Sequence, residues 1–346
     1  MQQEGARSRL TRPGPRILVI RRDNIGDLVC TTPLLRALRA QLPQAWIAAL
    51  VNRYNAPVLL GNPDLDEVFT YCKAKHREPG ESLLGLHLDR LRTVARLRAL
   101  RVDWALLPGG PQPSAKRFAR WISPAHCVAR DADISAVGAH EAEQACSLLA
   151  RMGLRYETPA ARIVADAAAA REIRARFADA TQVIGVHISA RKPSQRWPVE
   201  RFASLIERFP AGARTMFLLL WAPGSERNPW HPGDDEKAAR VVALVPNRRL
   251  LPIATQRLDD LIAALSVCDH VVCSDGGAMH LAAALGKPIV CLFGDSDAAR
   301  WHPWATRYEL LQPLSRDVND IAVEQVIDAY QRLCGAPAAV QPNSSG

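Results

Sequence analysis

Three short stretches combine reactive residue types with turns that expose them. In Val271-Val272-Cys273-Ser274-Asp275-Gly276-Gly277-Ala278-Met279-His280 an apolar run turns through an acid and two glycines into an Ala/Leu-rich segment that ends at Gly286-Lys287-Pro288. A strand, a glycine turn and a helix start in that order form an anion site. The first helical N–H groups lack intrahelical partners, the helix dipole favours negative charge there, and glycine lets a phosphate approach the backbone. The alternative is an ordinary βα turn. Asp275 either accepts hydrogen bonds that shape the turn or belongs to a ligand site. His280, about one turn into the helix, either reaches the same anion as the Gly276 and Gly277 amides or is simply packed.

The second stretch, Arg21-Arg22-Asp23-Asn24-Ile25-Gly26-Asp27, follows the short apolar run Arg16–Ile20. Asp27, after Gly26 and near a helix start, is placed either to take a proton from a hydroxyl or to cap the helix. The third, His187-Ile188-Ser189-Ala190-Arg191-Lys192-Pro193-Ser194-Gln195-Arg196-Trp197-Pro198, carries three cations within six residues beyond another strand. It reads as a diphosphate clamp or as a solvated basic loop. The nine histidines are scattered with no HExxH, and the eight cysteines form no CxxC pair, so no metal site is expected.

These stretches must be positioned by regular elements. Apolar runs alternate with helical spacing twice along the 346 residues, giving two βα series and hence two doubly wound parallel sheets. Residues 1–15 read as a flexible tail, 16–165 as the first domain, 166–334 as the second and 335–346 as a second tail. A helix is expected over Leu28–Leu42, with 21–27 as a loop. Ligands of such sheets bind beyond the carboxyl ends of the strands, where loops 21–27 and 273–280 both lie. Neither loop has GxGxxG spacing, which leaves a nicotinamide enzyme unsupported.

The hydrophobic fraction of 48% supports sizeable cores. The net charge of +9 favours anionic partners. The N-terminus lacks the apolar segment of a secretory signal, and no apolar run reaches transmembrane length. No nucleic-acid-binding signature is present, and nucleic acid is not expected as a partner. Buried free thiols in a reducing cytoplasm account for the cysteines.

Taken in order, Ile17–Ile20 with the Arg-Arg-Asp-Asn-Ile-Gly-Asp loop, Thr32-Pro33-Leu34-Leu35-Arg36-Ala37-Leu38, Arg196-Trp197-Pro198, Ser274–Pro288, Leu292-Phe293-Gly294 and Trp301-His302-Pro303 resemble glycosyltransferase family 9, which includes the lipopolysaccharide heptosyltransferases. The resemblance covers most of the chain. It implies a GT-B fold: two Rossmann-like domains facing across a cleft, with the last helix, 321–333, packing back on the first. It implies an inverting, metal-independent transfer of a heptose from ADP-heptose to a lipopolysaccharide-core or related glycan, with no cofactor besides the donor. In that picture Asp27 is similar to the general base, with Asp23, Asn24 and Gly26 on the acceptor side. Ser189, Lys192, Arg196, Asp275, Gly276, Gly277 and His280 fall on the donor side. Relatives often carry a lysine two residues before Trp-Pro; here that residue is Gln195, with Lys192 or Arg196 as substitutes. The Arg227–His231 loop is also unusual. The enzyme is expected in the cytoplasm, with peripheral contact to the inner membrane. The competing reading is a sugar-nucleotide-binding GT-B protein that is non-catalytic or has another donor or acceptor.

Overall fold

The structure is a computed structural model that describes residues 14–72, 82–110, 112–130, 139–210, 212–228, 232–246 and 248–335. Residues 1–13 and 336–346 of the expected tails, the Lys73–Gly80 loop and Pro229–His231 lie outside these. The chain divides into two units, Met1–Val164 and Ala165–Gly346.

The first unit is built on β1 (Arg16–Ile20), β2 (Trp46–Asn52), β3 (Glu67–Tyr71), β4 (Trp104–Leu107) and β5 (His126–Ala129). All pairings are parallel, in the order β3-β2-β1-β4-β5. Strand β2 is buried along its whole length, as expected of a parallel strand covered on both faces. The helices are α1 (Ile25–Val29), α2 (Thr32–Gln41), α3 (Leu83–Ala99), α4 (Pro113–Ile122), α5 (Glu141–Cys146) and α6 (Leu148–Arg151).

The second unit has α7 (Ala167–Ala175), α8 (Val199–Arg208), α9 (Asp235–Leu244), α10 (Leu258–Ser266), α11 (Gly277–Ala284), α12 (Ala298–Trp301) and α13 (Val323–Gly335). Its strands are β6 (Gln182–His187), β7 (Thr215–Trp221), β8 (Leu250–Ala254), β9 (His270–Ser274), β10 (Ile289–Leu292) and β11 (Tyr308–Leu311). They form a parallel sheet in the order β11-β10-β9-β6-β7-β8, with β11 a strand not expected from the sequence. Both orders reverse direction beside their first strand. That places a topological switch point between β1 and β4 in one unit and between β6 and β9 in the other, the sites where doubly wound sheets bind ligands.

One expectation changes. The helix expected from Leu28 is two helices, α1 and α2, separated at Cys30 and Thr31, so Asp27 lies inside a helix rather than in a loop. Helix α13 ends the second unit. Val326, Ala329, Tyr330 and Leu333 are buried in the second unit's own core, with the Tyr330 ring 4.3 Å from that of Phe209 and its hydroxyl accepting from Gln182 Nε2 at 2.9 Å.

Candidate active site

At the carboxyl edge of the first sheet, Arg21 extends the β1 ladder by one step, its N–H donating to Leu50 O. Its guanidinium is almost fully buried and gathers three carboxylates. Nε lies 3.0 Å from Asp23 Oδ2, and Nη2 lies 2.6 Å from Asp27 Oδ1 and 2.7 Å from Glu141 Oε1. Arg130, just past β5, reaches the same Glu141 oxygen at 3.0 Å. Burial opposes the charge on Arg21, but Asp27, Glu141 and Asp23 outweigh it and hold its pKa above the ordinary arginine value. Two arginines against three carboxylates leave this cluster with one net negative charge.

Local sequence explains the assembly. Asn24 is the N-cap of α1 and Asp27 its N3 residue, and Asp27 Oδ2 accepts from the Asn24 N–H at 3.1 Å. Asp27 thus caps the helix through Oδ2 while Oδ1 meets Arg21. Glu141 is the first residue of α5, where the helix dipole favours an anion, and the preceding His140 caps that helix with Glu143. Asp23 is fixed from its other oxygen by Gln112 Nε2 at 2.8 Å. A Cβ at Gly109, beyond β4, would come within 2.7 Å of Asp23 Oδ2, so this close approach requires glycine. Gly26 sits inside α1. Sequence reasoning missed Arg21, Gln112, Arg130 and Glu141. The available signal was a charged residue directly abutting the buried run of β1.

In the second unit the glycine turn follows β9. Asp275 N–H still donates to Leu292 O, and Gly276 then adopts φ 157° and ψ −168° as the N-cap of α11, in a region essentially restricted to glycine. His280 is buried on α11, its ring centroid 5.8 Å from that of Trp301. Beyond β6, Trp197 is buried with Nε1 donating to Ile321 O at 3.0 Å, which pins the basic loop at its far end. A 3₁₀ turn, Pro193–Gln195, then carries the Gln195 amide inward. Its Nε2 donates to Asp275 Oδ2 at 2.7 Å and to Ser296 Oγ at 2.9 Å, all three residues being buried. The approach needs Gly294, where a Cβ would lie 2.2 Å from Ser194 O.

The flanking cations are already engaged. Arg196 Nη2 meets the buried Asp234 at 2.8 Å, and the exposed Lys192 meets Asp295 at 3.1 Å. Ser189 Oγ accepts from the Ala222 N–H at 2.9 Å. Lys237 donates to Ile188 O at 2.9 Å, and burial pulls its pKa down to about 8. At the end of β6, burial and then Lys237 lower the His187 pKa to about 4, and its Nδ1 is buried with no partner among the described residues. The structure thus brings Asp275 together with Gln195 and Ser296, and ties Arg196 to α9 rather than to the glycine turn.

The sequence profile of glycosyltransferase family 9 (heptosyltransferase) matches residues 116–320. The chain belongs to glycosyltransferase family 9. Within that family it is 23% identical to lipopolysaccharide heptosyltransferase 3 of Escherichia coli, over 91% of this chain and 97% of that protein. A more local match to E. coli lipopolysaccharide heptosyltransferase 2 is 32% identical over 104 residues, covering 30% of this chain and only 28% of that protein. Among solved structures, a family 9 glycosyltransferase from Veillonella parvula superposes with a TM-score of 0.77 at 21% identity, over 92% of this chain and 97% of that one. E. coli ADP-heptose lps heptosyltransferase II gives 0.72 at 19% identity, over 92% and 98%. These likenesses establish the GT-B class of fold. The family match contains the whole set expected on the donor side but not Asp27.

Proposed function

We propose that this family 9 glycosyltransferase transfers a heptose from ADP-heptose to a lipopolysaccharide-core or related glycan acceptor, with inversion and without a metal ion or other cofactor. The observation that carries the reading is the placement of the two sites. The switch point of the first sheet holds a fixed carboxylate, and that of the second holds a glycine turn at a helix N-terminus. Relatives named lipopolysaccharide heptosyltransferase and ADP-heptose lps heptosyltransferase II supply the sugar, nucleotide and acceptor class of the proposal.

In this mechanism Asp27 Oδ1 takes the proton of the acceptor hydroxyl as that oxygen attacks the anomeric carbon. Asp23, Asn24 and Gly26 shape the acceptor side. The Gly276 and Gly277 backbone and His280 lie against the donor diphosphate and stabilise it as it departs, with Ser189, Lys192 and Arg196 around it. Asp275 holds the turn through Gln195. For the two cations to serve the diphosphate, each has to exchange a carboxylate for it. We place the enzyme in the cytoplasm. Among the described residues no helix is long and apolar enough to cross a membrane.

Thermal-shift measurements against ADP-, UDP- and GDP-sugars test the donor. Stabilisation by ADP-heptose alone is expected. Stabilisation only by a UDP- or GDP-sugar would replace the donor. Donor binding without transfer to a purified core acceptor would favour a non-catalytic binding protein.

A further inference from the structure

Helix α3 does not hide all its leucines. Leu86 and Leu97 are buried, but Leu84, Leu88 and Leu91 are 69%, 44% and 61% exposed. Their i, i+4, i+7 spacing puts them on one stripe, which Ala95 continues. Three exposed leucines in a row on one helix are not the scattered single apolar residues of an ordinary surface.

The surroundings of the stripe are strongly basic. Helix α4 packs beside α3, and Arg98 Nη1 of α3 reaches Trp121 O of α4. Trp121 is 40% exposed, its ring edge against Phe118. The two helices carry Arg90, Arg92, Arg96, Arg98, Lys116, Arg117 and Arg120 against the single carboxylate Asp89. That is net +6 of the chain's +9, held by two adjacent helices. Asp89 is itself neutralised by Arg92 at 3.1 Å, and Arg96 is paired with Glu67 of β3 at 2.6 Å. Arg90 turns inward, its Nη2 donating to Cys72 O, which leaves Arg98, Lys116, Arg117 and Arg120 exposed on the same two helices.

A leucine stripe with an indole beside it and arginines around it matches an anionic bilayer surface in both respects. Apolar side chains and the indole enter the headgroup boundary, while cations contact lipid phosphates. Each cation held near such a surface contributes about 1 kcal/mol at most, so affinity depends on charge and apolar burial together. We propose that the exposed face of α3 and α4 docks the protein on an anionic membrane. None of the leucines, Trp121 or the exposed cations is among the site residues, and the proposal holds whichever sugar is transferred.

The test is flotation of the full chain with vesicles. Vesicles of phosphatidylglycerol and phosphatidylethanolamine are compared with vesicles of phosphatidylcholine alone, at low and high salt. The protein is expected to float with the first and not with the second, and to release as salt rises. Leu88→Glu with Leu91→Glu should lower the bound fraction at least ~5-fold, as should Arg98→Gln with Lys116→Gln and Arg117→Gln. Both variants change exposed side chains, and unaltered circular-dichroism melting confirms that they fold. Failure to float with phosphatidylglycerol vesicles, or variants that float like the parent, overturns the proposal. So does a concentration-dependent dimer abolished by the leucine variant in the absence of vesicle binding, which would assign the face to a second copy of the chain.

Discussion

The two switch points occupy equivalent places in their sheets but are built from opposite materials. Beyond β1 the first unit assembles four charged side chains, Asp23, Asp27, Glu141 and Arg130, around the buried Arg21. Beyond β9 the second unit uses a glycine turn, a helix N-terminus and a neutral amide, Gln195, on Asp275. The base of the proposed mechanism has to be held at one atom, and several short charge-assisted bonds do that. A diphosphate spreads its charge over many oxygens, and backbone N–H groups meet it without a desolvated counter-charge waiting in the empty site.

The sharpest way to break the contrast is Asp27→Asn. It keeps an oxygen for the α1 cap and removes the base. Transfer is expected to fall ~10²–10⁴-fold in a steady-state assay, with donor affinity by calorimetry unchanged. Wild-type turnover would remove Asp27 from the chemistry.

Glu141→Gln asks whether the charge around Arg21 is tuned or merely packed. The glutamine can still accept from Arg21 but no longer shares its positive charge. More of that charge then falls on Asp27, whose Oδ1 is held more tightly against Arg21. We expect kcat to drop ~10-fold at constant KM. A purely structural residue would change thermal stability and leave kcat where it is.

On the second unit, Gln195→Lys introduces a cation beside Asp275. It should tighten donor binding by up to ~10-fold, with added salt dependence, whereas Gln195→Ala should cost about 1–3 kcal/mol of stability by leaving a buried acceptor unpaired. Equal donor affinity in all three proteins would show that the turn alone sets it.

The smallest effect on transfer concerns pH. His187 is lowered from 6.5 to about 4 by burial, so the folded state resists a proton that the unfolded chain accepts. Stability from this group is complete above pH 6.5 and is lost as pH falls toward 4. The whole shift corresponds to roughly 3 kcal/mol. His187→Gln should flatten the acid side of a denaturation-midpoint-versus-pH curve. An unchanged slope would place the acid sensitivity elsewhere.

Much of this molecule was legible in its sequence. The strands β3, β5 and β7 fall on the expected residues because they are bounded apolar runs. The glycine turn announced itself through its strand–turn–helix order. What was not legible is pairing across distance. Arg21 and Glu141 are separated by 120 positions, and no local pattern links them. The break at Cys30 and Thr31 was hidden because Leu28 and Val29 continue an apolar spacing that α2 takes up again. β11 was missed because its four residues, partly exposed at a sheet edge, show no buried run. The Gln195 substitution was visible, but its contact with Asp275 depends on the anchored tryptophan and on Gly294.

That tryptophan also has a consequence in time. The indole of Trp197 and the guanidinium of Arg201 both donate to the carbonyl of Ile321, 124 and 120 residues later in the chain. At roughly 5–20 residues per second of synthesis, the anchor follows the loop out of the ribosome by about 6–25 s. The acid–arginine cluster can close as soon as Glu141 emerges. The loop before Trp197 has to wait for Ile321, so a nascent or prematurely terminated chain holds the proposed base cluster without a shaped place for the proposed donor.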